Sequence, residues 1–271
     1  MFKPKENLEN LNQLELLKHF NSLFDLLALK HSYYNAFDNI LDCCINAFCF
    51  NYNKDIMDRI RSTYTQDERY MIGEMLQIWI FYMNNAVKTD NSFYDFFGNF
   101  YEDKSMSKTI GFAQYFTPES ICHLMAMVVV TTDIKNSVYE PTCGSGRLNL
   151  AMHATNNKLF HYGNDLDITC AKMATLNFLI HGIKGVVTCD DALWPKNAFK
   201  GAFIINYKTA PYIEYIDNAD DAYYILNNIL PENNATKFEV DFNKSEKSDK
   251  SHKQIIVATS LTDVGKQLEL F

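Results

Sequence analysis

The residues best suited to chemistry lie between Phe112 and Tyr212. Val138-Tyr139-Glu140 reads as a short strand ending in an acid, Pro141-Thr142-Cys143-Gly144-Ser145-Gly146 as a bend of small residues, and Arg147-Leu148 as the start of an apolar-periodic helix. Gly144 and Gly146 would let the backbone pass close to a ligand, and the free N–H groups of the new helix would face its carboxylate or ribose. Downstream, Phe160-His161-Tyr162-Gly163-Asn164-Asp165-Leu166-Asp167 reads as a second strand. Its Asp165 falls about 20 residues after the bend, where a ribose-binding acid belongs in a doubly wound sheet. A third strand, Gly185 to Cys189, runs into Asp190-Asp191-Ala192-Leu193, and a fourth, Gly201 to Asn206, ends in an amide. Each feature also has a plainer reading: glycines that merely turn the chain, and Asp191 as a helix N-cap or solvated turn.

Positioning these groups needs alternating strands and helices. An amphipathic helix from Ile168 to His181 separates the second and third strands, and acids at strand ends predict a parallel sheet with its ligand at the carboxyl edge. The expected class is α/β, with a helical domain over residues 1–108, a ligand-binding domain over 109–260 and a tail over 261–271.

Two of these stretches together resemble a known family. Ala113-Gln114-Tyr115-Phe116-Thr117-Pro118-Glu119-Ser120-Ile121, followed by Glu140-Pro141-Thr142-Cys143-Gly144-Ser145-Gly146, is similar to the modification subunit of type I restriction systems. Those subunits are adenine-N6 DNA methyltransferases that use S-adenosylmethionine. The likeness covers about residues 90 to 206, and the helical segment ahead of it is also family-like. It implies a Rossmann-like methyltransferase fold, with Tyr115, Phe116, Thr117 and Pro118 at the methionine end of the cofactor. By the same resemblance Glu140, Pro141, Thr142, Cys143, Gly144 and Gly146 would hold its methionine and ribose region, although the family usually has Asp where Glu140 stands. Asp165 would accept from the ribose hydroxyls and Asp191 from the adenine amino group, with Leu166, Ala192 and Leu193 lining the base.

A departure from the family matters as much as the match. There the fourth strand ends in Asn or Asp, two Pro and an aromatic, because an amine conjugated to its ring is a poor nucleophile. The amide oxygen and a neighbouring carbonyl accept its protons while the aromatic stacks on the extruded base. Here Asn206 is followed by Tyr207-Lys208-Thr209-Ala210-Pro211-Tyr212, and the paired prolines are missing. Either Tyr207 stacks, or Pro211 and Tyr212 do, or the site no longer transfers methyl groups. The leading expectation is a DNA methyltransferase homologue with a separate recognition partner. The alternative is a catalytically silent cofactor-binding scaffold or regulator of DNA replication or modification.

Composition narrows these readings. The 271 residues suit one α/β domain plus a smaller helical one, and 47% hydrophobic residues suffice for a core. No apolar run approaches the length of a membrane span and Met1 to Asn7 lacks a signal-peptide pattern, so a cytoplasmic protein with no membrane partner is expected. Seven cysteines, Cys43, Cys44, Cys49, Cys122, Cys143, Cys170 and Cys189, are scattered without metal-ligand pairs and read as reduced, buried thiols. A net charge of −8 argues against gripping DNA over a broad basic face, and there are only four Arg, the commonest reader of guanine edges.

Residues 8 to 105 read as helices: one over the Leu-rich stretch from Leu11, a second from Ala36 to Phe50 and a long third from Asp55 to Asn85. Arg59, Arg61 and Arg69 suit either a DNA-facing surface or a solvated helix face. The aromatic run Phe93 to Tyr101 suits a plug at a domain junction. Thr117 and Pro118 suit the N-cap and first position of a helix. After Tyr212 a helix is expected from Tyr215 to Leu230, then two alternating segments, Lys237 to Phe242 and Gln254 to Ser260, flanking a charged Ser-rich tip. Compared with the family the chain stops early. Its last five residues, Gln267-Leu268-Glu269-Leu270-Phe271, are similar to the pentapeptide by which bacterial DNA-processing proteins bind the β sliding clamp, with Gln267, Leu268, Leu270 and Phe271 as contacts.

Overall fold

The computed structural model describes residues 2–5, 7–88, 92–106, 115–130, 137–208 and 210–229, the side chains of 227–229 excepted. The first layer is helical, with α1 (Gln13–His31), α2 (Tyr33–Phe48), α3 (Lys54–Thr63), α4 (Gln66–Ala86) and α5 (Phe96–Asp103). The long third helix expected from the apolar periodicity is therefore two. Thr65 breaks it, because its hydroxyl accepts from Glu68 N–H while the Glu68 carboxylate accepts from Thr65 N–H, a capping box that starts a new helix. Asn12 and Glu15 start α1 in the same way. Phe96, Phe97, Phe100 and Tyr101 of α5 are buried against Phe20, Phe24, Phe37 and Trp79, so the aromatic run fills the helical core.

The second layer runs α6 (Glu119–Val129), β1 (Ser137–Glu140), α7 (Arg147–Thr155), β2 (Phe160–Asp165), α8 (Ile168–Ile180), β3 (Gly185–Cys189), β4 (Gly201–Ile205), β5 (Ile213–Ile216) and α9 (Ala219–Ile229). Helix α6 starts one residue later than expected, with Pro118 as its N-cap. It buries only Cys122 and Ala126, in line with its buried C-cap Val130, leaving Leu124, Met127 and Val128 outward. Among the described residues the strands lie in the order β1-β2-β3-β4-β5. β1, β2 and β3 are parallel, but β4 pairs with β3 and β5 with β4 in antiparallel fashion. The expected parallel sheet is thus mixed. A parallel return needs a crossover of a dozen or more residues, normally helical. Asp190 to Lys200 is shorter than that, forms no helix, and closes on itself where Lys200 N–H donates to Cys189 O (2.9 Å). The chain can only come back as a hairpin. The helix expected from Tyr215 likewise starts later, since Tyr215 belongs to β5. The segments 237–242, 243–252 and 254–260 lie outside the described residues.

Helix α8, expected to be amphipathic, is instead buried all round from Thr169 to Ile180, between α2 and strands β2 and β3, with its polar side chains paired inside. Its one cation, Lys172, donates to Asp38 (2.9 Å) and contacts Asp42 (2.6 Å) on α2, and Tyr52 donates to the same Asp42 (2.6 Å). Burial works against the Lys172 charge, but the two carboxylates outweigh it and raise its pKa. Removing one partner of such a buried cluster leaves charge uncompensated, at about 3–5 kcal/mol. Lys172→Met should therefore lower the unfolding free energy by about that amount in urea titration.

Two imidazoles sit in the same layer. Burial, with His153 nearby, holds His161 down at about 3, and burial holds His181 at about 4. Tyr94 N–H donates to His181 Nε2 (3.2 Å), so Nδ1 carries the proton and donates to Asn177 O (2.7 Å). Unfolded histidine titrates near 6.5, so below that pH the unfolded chain takes up protons that the native chain refuses. Stability should fall with pH by about 1.4 kcal/mol per unit for each group, until each native pKa is reached. His161→Leu should lessen that slope by about 1.4 kcal/mol per unit between pH 6 and 4, read from urea midpoints; an unchanged slope would refute it.

Candidate functional site

The three parallel strands deliver their carboxylates to one edge. Glu140 pairs with Gly163 and Asp165 with Cys189, so Glu140, Asp165 and the Asp190-Asp191 pair follow one another across β1, β2 and β3. Asn164 ties these strand ends together. Its amide donates to Pro141 O (3.2 Å) and to Asp190 O (3.0 Å), and its oxygen accepts from Thr188 (2.6 Å). Sequence reasoning passed over Asn164, since a buried Asn inside a strand looks like any polar residue there.

The bend after β1 is held by the next strand. Cys143 N–H donates to Asn164 O (2.7 Å), and Gly144 N–H donates to Asp165 Oδ2 (2.8 Å), while Asp167 N–H donates to Oδ1 (2.9 Å). Burial raises the Asp165 pKa and these N–H groups partly offset it. Gly144 and Gly146 both have left-handed backbone, with φ of 56° and 85°. A Cβ on Gly144 would lie 2.9 Å from the Phe116 ring, and one on Gly146 would lie 3.2 Å from Ala174 Cβ. Both positions need glycine because the Phe116 ring packs over Gly144 and the α8 residues Ala174 and Phe178 pack against Gly146. Cys143 is buried with its sulfur against Gly163, and burial keeps its pKa high, so it acts as packing and not as a nucleophile.

The remaining expected cofactor residues surround this edge. Glu140 accepts from Thr142 N–H (3.4 Å) and its hydroxyl (3.3 Å). Asp190 is fully buried and holds the connector, accepting from Asp191 N–H (2.8 Å), Lys196 N–H (2.6 Å), Ala198 N–H (3.1 Å) and Tyr223 (2.8 Å). Asp191 accepts from Leu193 N–H (2.9 Å) and Trp194 N–H (3.4 Å), the solvated turn weighed as its plainer role. Leu166, Leu193 and Tyr115 are exposed, Ala192 and Phe116 half-buried, and Pro141, Thr142, Thr117 and Pro118 exposed. The exposed Trp194 beside Leu193 was missed by sequence reasoning.

The entry segment is fastened by residues that motif reading did not select. Arg147, the first residue of α7, is 5% exposed. Its guanidinium donates to Asp95 Oδ2 (3.0 Å), Thr117 O (3.3 Å), Asn99 (3.0 Å) and Glu102 (3.0 Å), and lies 5.5 Å over the Phe116 ring. Asp95 also accepts from Ser145 (2.5 Å), Gly98 N–H (2.9 Å) and Asn177 (2.8 Å). A cation opening a helix runs against the helix dipole. That was the available clue.

Asn206, Tyr207, Pro211 and Tyr212 lie elsewhere. Ile205 pairs with Gly185, the first residue of β3, whereas Asp165 pairs with Cys189, the last. The antiparallel β4 thus carries Asn206 to the opposite end of the sheet, roughly 15 Å from the carboxylates. There its amide donates to Phe178 O (3.2 Å), Leu179 O (3.2 Å) and Ile183 O (3.0 Å), closing the end of α8, and its oxygen accepts from Tyr212 N–H (3.3 Å). Asn206 directly follows β4 and Tyr212 directly precedes β5. Tyr207 packs with Tyr162, Val186 and Ile204, and Lys208 pairs with Glu214 (3.4 Å). The structure does not bring these four residues to the carboxylate edge, and the corrected strand direction is the reason.

Arg59 donates to Asn39 (3.2 Å), Arg61 pairs with Asp58 (3.4 Å) and Arg69 donates to Arg61 O (3.1 Å) and Tyr64 O (2.8 Å), so all three serve the helices themselves. Among the described residues no group of three His, Cys, Asp or Glu could hold a metal, and no helix is long and apolar enough to cross a membrane. Gln267, Leu268, Leu270 and Phe271 lie outside the described residues.

No curated protein matches this chain. Among solved structures, a protein of Listeria monocytogenes described as a class I S-adenosylmethionine-dependent methyltransferase is similar at 14% identity, with a TM-score of 0.41. The match covers 67% of this chain and 54% of that one, so the chain spans about half the length of that structure. Residues 92–255, more than half of the chain, match the model of the N-6 DNA methylase family, and with it the helices, the glycine bend and the acidic strand ends find a common account: the chain belongs to the N-6 DNA methylase family.

Proposed function

We propose that the chain binds S-adenosylmethionine, the cofactor its family implies, at the carboxyl edge of β1, β2 and β3. The observation that carries this reading is the Gly144–Asp165 hydrogen bond, which ties the glycine bend after β1 to the carboxylate ending β2, between the acids that end β1 and follow β3. Glu140 and the turn from Cys143 to Gly146 would hold the methionine and ribose region, Asp165 the ribose hydroxyls and Asp191 the adenine amine, with Phe116, Thr117 and Pro118 at the methionine end. When bound, the cofactor offers an electrophilic methyl group on its sulfonium. The chain resembles the modification subunit of a type I system, acting on adenine N6 in DNA with recognition supplied by a partner. Docking to a sliding clamp through Gln267, Leu268, Leu270 and Phe271 belongs to the same proposal.

A second reading concerns turnover. The Asn206 amide caps α8 at the far end of the sheet, which favours a chain that holds the cofactor without transferring its methyl group unaided.

Titration calorimetry tests the first reading: S-adenosylmethionine should bind the intact chain, and Asp165→Ala should weaken it about tenfold or more, the equivalent of one lost charge-assisted hydrogen bond. No heat of binding to the wild type would refute the proposal. Asn206→Ala separates the two readings. It should cost about 1–3 kcal/mol of stability through the uncapped carbonyls and leave cofactor affinity within about twofold. Methyl transfer to DNA by the wild type that Asn206→Ala abolishes without loss of stability would overturn the silent reading.

A further inference from the structure

We propose that Arg147, braced by Asp95 and Glu102, is a positioning residue that seats Phe116 and Thr117 over the glycine bend and so sets affinity for the methionine end of the cofactor. This rests on the reading of the carboxylate edge as an S-adenosylmethionine site.

Two hydrogen bonds tie the segment ahead of α6 to this part of the fold. Phe116 N–H donates to Glu102 Oε1 (3.2 Å), and Thr117 O accepts from Arg147 Nη1 (3.3 Å). Glu102 in turn accepts from Arg147 Nη2 through its other oxygen (3.0 Å), so both bonds trace back to one guanidinium. The same group lies over the Phe116 ring, and that ring stands 2.9 Å from where a Gly144 Cβ would be. Wherever Arg147 holds the ring, the space above the bend is set.

The geometry requires arginine. A planar fork with five donors can meet Asp95, Asn99, Glu102 and Thr117 at once and still present a face to an aromatic ring; an ammonium cannot. Stability alone does not account for the arrangement. A buried ion pair contributes little more than apolar residues of similar volume would, and this one also places a cation at a helix start. What the fork supplies is a fixed geometry between α5, the bend and the segment before α6. Asp95 fixes the guanidinium from below. Both its oxygens are taken, Oδ1 by Gly98 N–H and Asn177 and Oδ2 by Ser145 and Arg147, and no side chain fits at Gly98 beside it.

The test compares two ligands on the intact chain. S-adenosylmethionine uses the whole site, whereas adenosine uses only the part assigned to Asp165 and Asp191. Arg147→Lys should weaken S-adenosylmethionine about tenfold, one charge-assisted hydrogen bond's worth, and leave adenosine within about twofold by calorimetry. Glu102→Gln, at a partly exposed position, should weaken it about threefold with the same selectivity and decides the matter if Arg147→Lys does not fold. Equal weakening of both ligands would reduce Arg147 to a general structural role, and unchanged binding of both would remove it from the site; either overturns the proposal. A wild-type chain that binds neither ligand refutes the site reading itself and this inference with it. A wild type that binds both, with variants of equal affinity, refutes this inference alone.

Discussion

The arrangement depends on a single buried carboxylate. Asp95, fully enclosed, caps α5 and at the same time accepts from the bend (Ser145), from α7 (Arg147) and from α8 (Asn177). A buried charge is tolerated only when its acceptor sites are filled, and four donors meet here. Because those donors come from three separate segments, satisfying Asp95 fixes the helical layer against the sheet layer beside the glycine bend. Lys172 does the same between α8 and α2 through Asp38 and Asp42. The two layers are joined by paired charge as well as by apolar burial.

The second constraint is the length of one connector. With no helix between Asp190 and Lys200, β4 returns antiparallel, and everything after it is carried to the far end of the sheet. The carboxylates and the glycine bend keep their places because they precede that reversal. The amide and aromatics that motif order would set beside them do not.

Much of the candidate site's backbone geometry was legible because it is dictated locally. Gly144 and Gly146 stand where the backbone needs positive φ, and strand periodicity places Asp165 at a strand end whatever the rest of the fold does. What escaped was of two kinds. Asn206 looks the same in sequence whether its amide meets an incoming amine or the carbonyls at the end of α8. The direction of β4 was decided by counting connector residues, a count outweighed by the alternation of strands and helices. The break between α3 and α4 was written in Thr65 and Glu68 but hidden under continuous apolar periodicity. Asp95 and Arg147 meet across 52 residues of chain, and no local pattern announces a contact of that range.

The seven cysteines, every one buried, give the molecule a built-in gauge of its own integrity. Thiolates react with oxidants and alkylating reagents, and burial keeps Cys143 and Cys170, among others, in the unreactive protonated form. Modification must wait for the surrounding structure to open, so the pace of labelling at each sulfur measures the breathing of its own neighbourhood. Oxidative inactivation of this protein would be a symptom of opening, not its cause.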